Sequence, residues 1–294
     1  VKTAHEKGRL YEGLRTIHWC PSCATAVAKH ELTYKEITDN SIFIKLPVDK
    51  EKNTFLLVWT TTPWTTPLNL GVMANPEVDY VKAKVDNETW ILAKALAAPV
   101  IQAVAEKEFK ITSTFKGKEL EGTKYTLPLY KEMENYYKEI ESKSKKAFTV
   151  VMSKEHVDTT SGTGLVHMAP GCGPEDYDVG HKNGIPPLNP LDEQGYFPKD
   201  AGAFGGLRAK YEDNKFIELF EDSIIASTKV QHDYAHCERC KTAVVFRTTK
   251  QWFFKVEDLK KKIIAENKKI QWQPKAAFNA FNSWLENLRD NSIT

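Results

Sequence analysis

The 294-residue sequence predicts a mixed α/β (α+β) fold: a β-barrel-like domain with peripheral helices, beside a small zinc-ribbon-like module. Three observations carry this. Many non-consecutive strand-like runs are interspersed with few helices. One run, Phe55-Leu56-Leu57-Val58-Trp59, is apolar throughout, as a strand buried on both faces must be. Four of the five cysteines fall in two Cys-x-x-Cys pairs far apart in the chain.

In order, residues 1–13 read as a short helix ending at Gly13, and 14–19 as a strand entering the first cysteine pair. Residues 30–46 are extended, with Ile42, Ile44 and Leu46 on one face and Phe43 and Lys45 on the other. Residues 55–60 form the buried strand. A hairpin follows, with strands 80–85 and 89–93 around Asp86-Asn87-Glu88. Residues 94–107 look helical, disturbed by Pro99. A strand at 109–115 precedes the charged segment 131–146, a surface loop or exposed helix. Strands are expected at 147–153 and 164–168. A helix is expected at 174–183, with Pro174 near its first position and Gly184 past its end. The Pro- and Gly-rich stretch 185–206 reads as a long functional loop. Helices are predicted at 213–226 and 256–269, flanking an aromatic-rich strand region at 244–256. The large domain is expected to span 37–228. Residues 1–36 and 229–294 would form the zinc-ribbon-like module and linkers.

Composition limits the function. The net charge of +2, from 41 basic and 39 acidic side chains, argues against a protein that tracks a long phosphate backbone. Contact with a nucleic-acid end remains open. No apolar run reaches the length of a membrane span, and residues 1–7 lack a signal-peptide core, so a cytoplasmic chain is expected.

A disulfide framework is disfavoured in a chain of this size and setting. Cys20, Cys23, Cys237 and Cys240 instead have knuckle spacing, and four thiolates suit tetrahedral structural zinc. Four reduced thiols are the alternative. His18 and His236 flank the pairs as possible substitute ligands. Cys172 stands alone and reads as a small loop residue without a dedicated base.

Two segments are richest in chemistry. Thr60-Thr61-Thr62-Pro63-Trp64-Thr65-Thr66-Pro67-Leu68-Asn69 follows the buried strand. Gly162-Thr163-Gly164-Leu165-Val166-His167-Met168-Ala169-Pro170 leads into Gly171-Cys172-Gly173-Pro174-Glu175-Asp176-Tyr177. Clustered hydroxyls at strand ends are costly to bury unless hydrogen-bonded, so two such clusters suggest one shared polar pocket. Alternation should point Thr60 and Thr62 to one side and Thr61 to the other. Asp176 falls in the first turn of a predicted helix, where the helix dipole favours a carboxylate, but a helix-start aspartate is common. His167 by itself reads as a satisfied core histidine.

Together the two segments resemble the editing domain (connective peptide 1) of class I isoleucyl-tRNA synthetases, and the resemblance covers nearly the whole chain. The tail Trp284-Leu285-Glu286-Asn287-Leu288-Arg289-Asp290 looks like that family's return to its catalytic core. Valyl and leucyl relatives usually carry Arg where Thr62 stands and lack the tryptophan at position 64. The resemblance implies hydrolysis of misacylated valyl-tRNA(Ile) or valyl-adenylate, with the 3′ end of tRNA(Ile), the valine moiety and the remainder of the synthetase as partners. It implies that Asp176 holds the substrate amino group and that His167 lines the side-chain pocket. Thr60, Thr61 and Thr62 would bind the terminal adenosine or adenylate and position water. Trp64, Asn69 and Gly164 would contact substrate. No metal is needed for hydrolysis. The synthetic His-Ile-Gly-His and Lys-Met-Ser-Lys-Ser motifs are missing, since Met152-Ser153-Lys154 lies inside the inserted domain, so no amino-acid activation is expected. A valyl- or leucyl-type editing domain and a non-catalytic RNA-docking module are the rival readings.

Overall fold

The computed structural model describes residues 1–293. The chain divides into two compact units, Thr16–Thr248 and a smaller one made of Val1–Arg15 and the segment from Thr249 onward.

Helix α1 (Lys2–Glu6) is shorter than the sequence suggests. Gly8, at φ +62°, stops it, because a left-handed residue cannot continue a right-handed helix. The chain then enters β1 (Leu10–Cys20), whose end turns through the first cysteine knuckle and pairs with β2 (Thr25–Ala26). Strand β3 (Leu32–Pro47) carries Ile42, Phe43, Ile44 and Leu46 into the core, so both of its faces are covered there. Strand β4 (Thr54–Thr60) pairs antiparallel along it, from Ile42 opposite Thr60 to Pro47 opposite Phe55. Leu56, Leu57 and Val58 are buried, as an unbroken apolar run predicts.

The four-residue β5 (Gly71–Ala74) is too short to leave a periodic signal. The expected hairpin forms as β6 (Asp79–Val85) and β7 (Glu88–Ala93), followed by β8 (Lys110–Lys116). The helix predicted at 94–107 reduces to a 3-10 turn, Lys94–Leu96, and a π-helical stretch, Pro99–Val104. Pro99 has no N–H to continue a regular ladder. The charged segment 131–146 is helical at α2 (Glu134–Lys143), which buries Tyr137 and Ile140. Strands β9 (Thr149–Met152) and β10 (Leu165–Met168) and helix α3 (Pro174–Lys182) fall where expected, with Gly184 at φ +68° past the helix end.

A further expectation fails at residues 220–226. Helix α4 (Asp213–Leu219) stops well before residue 226, and from Ile224 the chain is a long strand, β11 (Ile224–Cys237). It pairs antiparallel with β3 from Ile44 to Leu32. That many ladder hydrogen bonds and cross-strand pairs outweigh a local helical pattern. Strands β3 and β11 run without a break through 36/37 and 228/229, so one ribbon joins the cysteine knuckles to the sheet.

The large sheet has nine strands and curls into an open half-barrel, with β8-β6-β7-β4-β10-β5-β9 as its main order. Strand β4 is the branch point. On the side away from β3 it pairs parallel with β7 at its start (Thr54 opposite Thr89) and parallel with β10 at its end (Trp59 opposite Val166). The sheet therefore splits along β4 between Leu56 and Trp59. Gly164 sits at the split with φ +74°, and a Cβ there would stand 2.3 Å from the Cβ of Ala93. Only glycine lets the two backbones approach this closely.

In the smaller unit, part of β12 (Val245–Phe254) pairs with β13 (Asn291–Ser292). Helices α5 (Lys260–Asn267) and α6 (Lys275–Glu286) complete it, with Trp272, Phe281 and Trp284 in ring contact.

Candidate functional site

A cavity of about 310 Å³ opens where the sheet splits. Its first wall is the end of β4 and the turn after it. Thr62 begins a 3-10 turn, Pro63–Leu68, which folds Thr65 back so that its N–H donates to the Thr62 carbonyl at 2.9 Å. Thr60, Thr61, Thr62 and Thr65 all line the cavity. Thr60 and Thr62 do share a side, their hydroxyls 3.2 Å apart. Thr61 lines the cavity too, because the strand ends at Thr60 and alternation ends with it.

His167, on β10, forms the second wall. Its Nδ1 lies 2.7 Å from Asn69 Nδ2 and its Nε2 lies 3.0 Å from Thr65 Oγ1. Burial lowers its pKa to about 4, so the ring is neutral at physiological pH. With both ring nitrogens engaged inside the protein, His167 is a shaped wall and has no nitrogen free to act as a base.

Asp176 closes the inner end from α3. Its Oδ2 accepts the Ala169 N–H at 3.0 Å. The helix dipole was expected to favour its ionised form, but burial dominates, aided by the charge of Glu175, and raises its pKa to about 6 against the Ala169 hydrogen bond. Cys172 lines the cavity as well. Burial first, and then the charge of Asp176, push its thiol well above the ordinary range, which leaves it protonated and a poor nucleophile.

Gly164 lines the cavity, as the sequence reading implied. Trp64 and Asn69 do not. Trp64 is 2% exposed and packs in the core, while Asn69 is 1% exposed behind His167. Asn69 spends both its donors and its carbonyl oxygen within the protein, on Gly71, His167 and Tyr125, which leaves it nothing for a substrate. Several lining residues escaped the sequence reading, among them Trp59, Thr65, His156, Asp158 and Ser161. A hydroxyl three residues after Thr62 in a proline-initiated turn was the available signal for Thr65. Trp59 looked like one more apolar residue of a buried strand. Its indole packs under Gly162, where a Cβ would come within 3.1 Å of the ring.

A second cluster lies at the outer end of the β3–β11 ribbon. The sulfurs of Cys20, Cys23, Cys237 and Cys240 all lie within 4.8 Å of one another. The two knuckles are alike: Ala24 and Lys241, each just after the second cysteine of its pair, have φ of +50° and +62°. The Cys23 N–H points at Cys20 Sγ at 3.3 Å. Tetrahedral zinc with Zn–S bonds of about 2.3 Å needs sulfurs about 3.8 Å apart, so the donor set fits. His18 packs on Phe246, with ring centroids 4.5 Å apart, and His236 Nδ1 meets the Tyr234 carbonyl at 2.9 Å; neither joins the cluster.

Among the described residues, no helix is long and apolar enough to cross a membrane. The chain is 40% identical over its full length to an isoleucine–tRNA ligase of Methanothermobacter marburgensis and 43% identical to one of Pyrococcus abyssi. It spans 27% of the length of each of these relatives. Its fold is similar to the crystal structure of GlLeuRS-CP1 (TM-score 0.48, 15% identity), over 64% of this chain and 99% of that one. The family model described as tRNA synthetases class I (I, L, M and V) matches residues 1–294, and the chain belongs to that family.

Proposed function

We propose that the large unit is an editing site that hydrolyses valine from valyl-tRNA(Ile), or from valyl-adenylate, as the second sieve of an isoleucyl-tRNA synthetase. The observation that carries this reading is one cavity in which threonine hydroxyls, the neutral His167 and the buried Asp176 carboxylate meet, with Asp158 also on its lining. An aminoacyl ester is already activated. Its hydrolysis needs a positioned water, donors for the developing oxyanion and an anchor for the α-ammonium. The hydroxyls of Thr60, Thr61 and Thr62 supply the first two. Asp176 supplies the anchor, since an ammonium beside it favours its ionised form.

Such an activity has a thermodynamic motive. One methylene is worth about 1–3 kcal/mol in a hydrophobic pocket, isoleucine against valine being the standing example, so a synthetic site alone separates the two poorly. A smaller second site can admit valine and exclude isoleucine. Thr62 and Trp64 favour the isoleucine reading over the valine and leucine ones, and so do the isoleucine–tRNA ligases among the relatives. The partners in this reading are the 3′ end of tRNA(Ile) and the rest of a cytoplasmic synthetase chain.

The test is a deacylation assay on one tRNA charged in turn with valine, isoleucine and threonine. Release of valine with isoleucine spared is the expected result. Release of threonine instead would move the chain to the valyl-type reading. Binding of tRNA with no release at all would leave a docking module.

We propose also that the four cysteines hold structural zinc. Protein purified without chelator should contain about one zinc per chain, and Cys20→Ser or Cys237→Ser should release it and lower the melting temperature. Elemental analysis showing no metal would refute the site.

A further inference from the structure

Behind the cavity wall, hydrogen bonds run in one direction through buried side chains. The Tyr125 hydroxyl donates to Asn69 Oδ1. Asn69 Nδ2 donates to the Gly71 carbonyl at 2.9 Å and faces His167 Nδ1 at 2.7 Å. His167 Nε2 faces Thr65 Oγ1 at 3.0 Å, and the Thr65 hydroxyl donates to the Thr62 carbonyl at 2.7 Å.

The direction is dictated at the Asn69 end. A backbone carbonyl only accepts, so the Asn69 atom facing Gly71 must be its nitrogen, which leaves Oδ1 for Tyr125. Nδ2 therefore donates to His167 Nδ1, and that nitrogen cannot carry a proton. With Nδ1 unprotonated, a neutral ring carries its proton on Nε2 and donates it to Thr65 Oγ1, whose own hydrogen can go to the Thr62 carbonyl at 2.7 Å or to Thr62 Oγ1 at 3.1 Å. Each group has one consistent role, and such chains reinforce one another. Asn69 is 1% exposed and Tyr125 2%, so neither touches anything that enters the cavity.

We propose that Tyr125 and Asn69 are positioning residues that hold His167 as the neutral Nε2–H tautomer in one fixed orientation, and thereby set the wall that separates valine from isoleucine. The tautomer part stands on the geometry alone, while the selectivity part rests on the editing reading of the cavity. A ring hydrogen-bonded at both nitrogens cannot rotate to make room for a methylene. A ring freed on one side can.

The experiment uses the 294-residue chain labelled with ¹⁵N in histidine, its long-range ¹H–¹⁵N spectrum recorded at neutral pH, and the charged-tRNA assay run on the same samples. The wild-type protein should give His167 as a single Nε2–H tautomer. Tyr125→Phe removes one oxygen and keeps the buried ring, so it should fold. Asn69→Ala also deprives the Gly71 carbonyl of its donor and is the harsher variant. Both should give a mixed-tautomer signal, and Tyr125→Phe should narrow the preference for valine over isoleucine by about tenfold while leaving total valine release within a few-fold of wild type. An Nδ1–H or cationic His167 in the wild type would overturn the proposal. So would an unchanged spectrum in Tyr125→Phe, or a changed spectrum with unchanged selectivity in a chain that does release valine. If the chain releases no amino acid from tRNA, the editing reading falls and the selectivity claim with it, while the spectra still decide the tautomer claim.

Discussion

Replacing Asp176 by asparagine is expected to cut valine release from valyl-tRNA by about ten- to a hundredfold, the cost of losing a charged hydrogen bond, while making the folded chain more stable at pH 8. Both effects come from one carboxylate. Its pKa is raised from 3.8 to about 6 by burial, so the folded chain holds the proton more tightly than the unfolded chain does. Its favourable contribution to stability is therefore complete below pH 3.8 and is lost as the pH rises through about 6. Above that, the native state keeps an ionised carboxylate in a poorly solvated place, at a cost of up to about 3 kcal/mol. Asparagine retains an oxygen for the Ala169 N–H and cannot ionise. Melting curves of the two proteins should coincide near pH 4 and separate in favour of the variant at pH 8. Valine release by the wild type should rise with pH through about 6 as the anchor ionises. A variant with undiminished hydrolysis would remove Asp176 from the site. Equal melting temperatures at pH 8 would remove the burial argument.

His167→Ala is expected to change which amino acid is released. Steric overlap with a packed wall costs typically about 1–3 kcal/mol, which lets a rigid ring reject isoleucine while valine fits. With the ring gone the variant should begin to deacylate correctly charged isoleucyl-tRNA. Its valine activity should fall less than in the Asp176 variant, because the ammonium anchor is intact. Stability should drop by about 1–3 kcal/mol, since Asn69 and Thr65 lose their partners. The measurement compares one tRNA carrying each amino acid in turn. If the variant still spares isoleucyl-tRNA while releasing valine, the wall lies elsewhere, and the threonines at 60–62 are next to be tried.

Much of this molecule was legible in its sequence wherever a local pattern had a single physical meaning. The unbroken apolar run 55–59 had to be a strand covered on both faces, and the hairpin around Asp86-Asn87 carried its own turn. Proline before and glycine after bounded α3. The spacing within each cysteine pair implied a knuckle, and the threonine and glycine clusters marked the two strand ends that form the cavity.

Tertiary structure decided what depends on neighbours distant in sequence. Residues 220–226 had a helical pattern, but the ladder offered by β3 made strand from Ile224 onward. Nothing local distinguished Trp59, which reaches the cavity, from Trp64, which is sealed in the core. Asn69 looked like a substrate ligand until Gly71, His167 and Tyr125 were found to use every hydrogen-bonding atom of its side chain. The sequence placed Asp176 in a field that favours its charge, and burial reversed the sign despite the hydrogen bond from Ala169. Periodicity and turn chemistry are properties of consecutive residues and can be read along the chain. Desolvation and hydrogen-bond saturation are sums over whatever the fold brings near, and they exist only once the chain has folded.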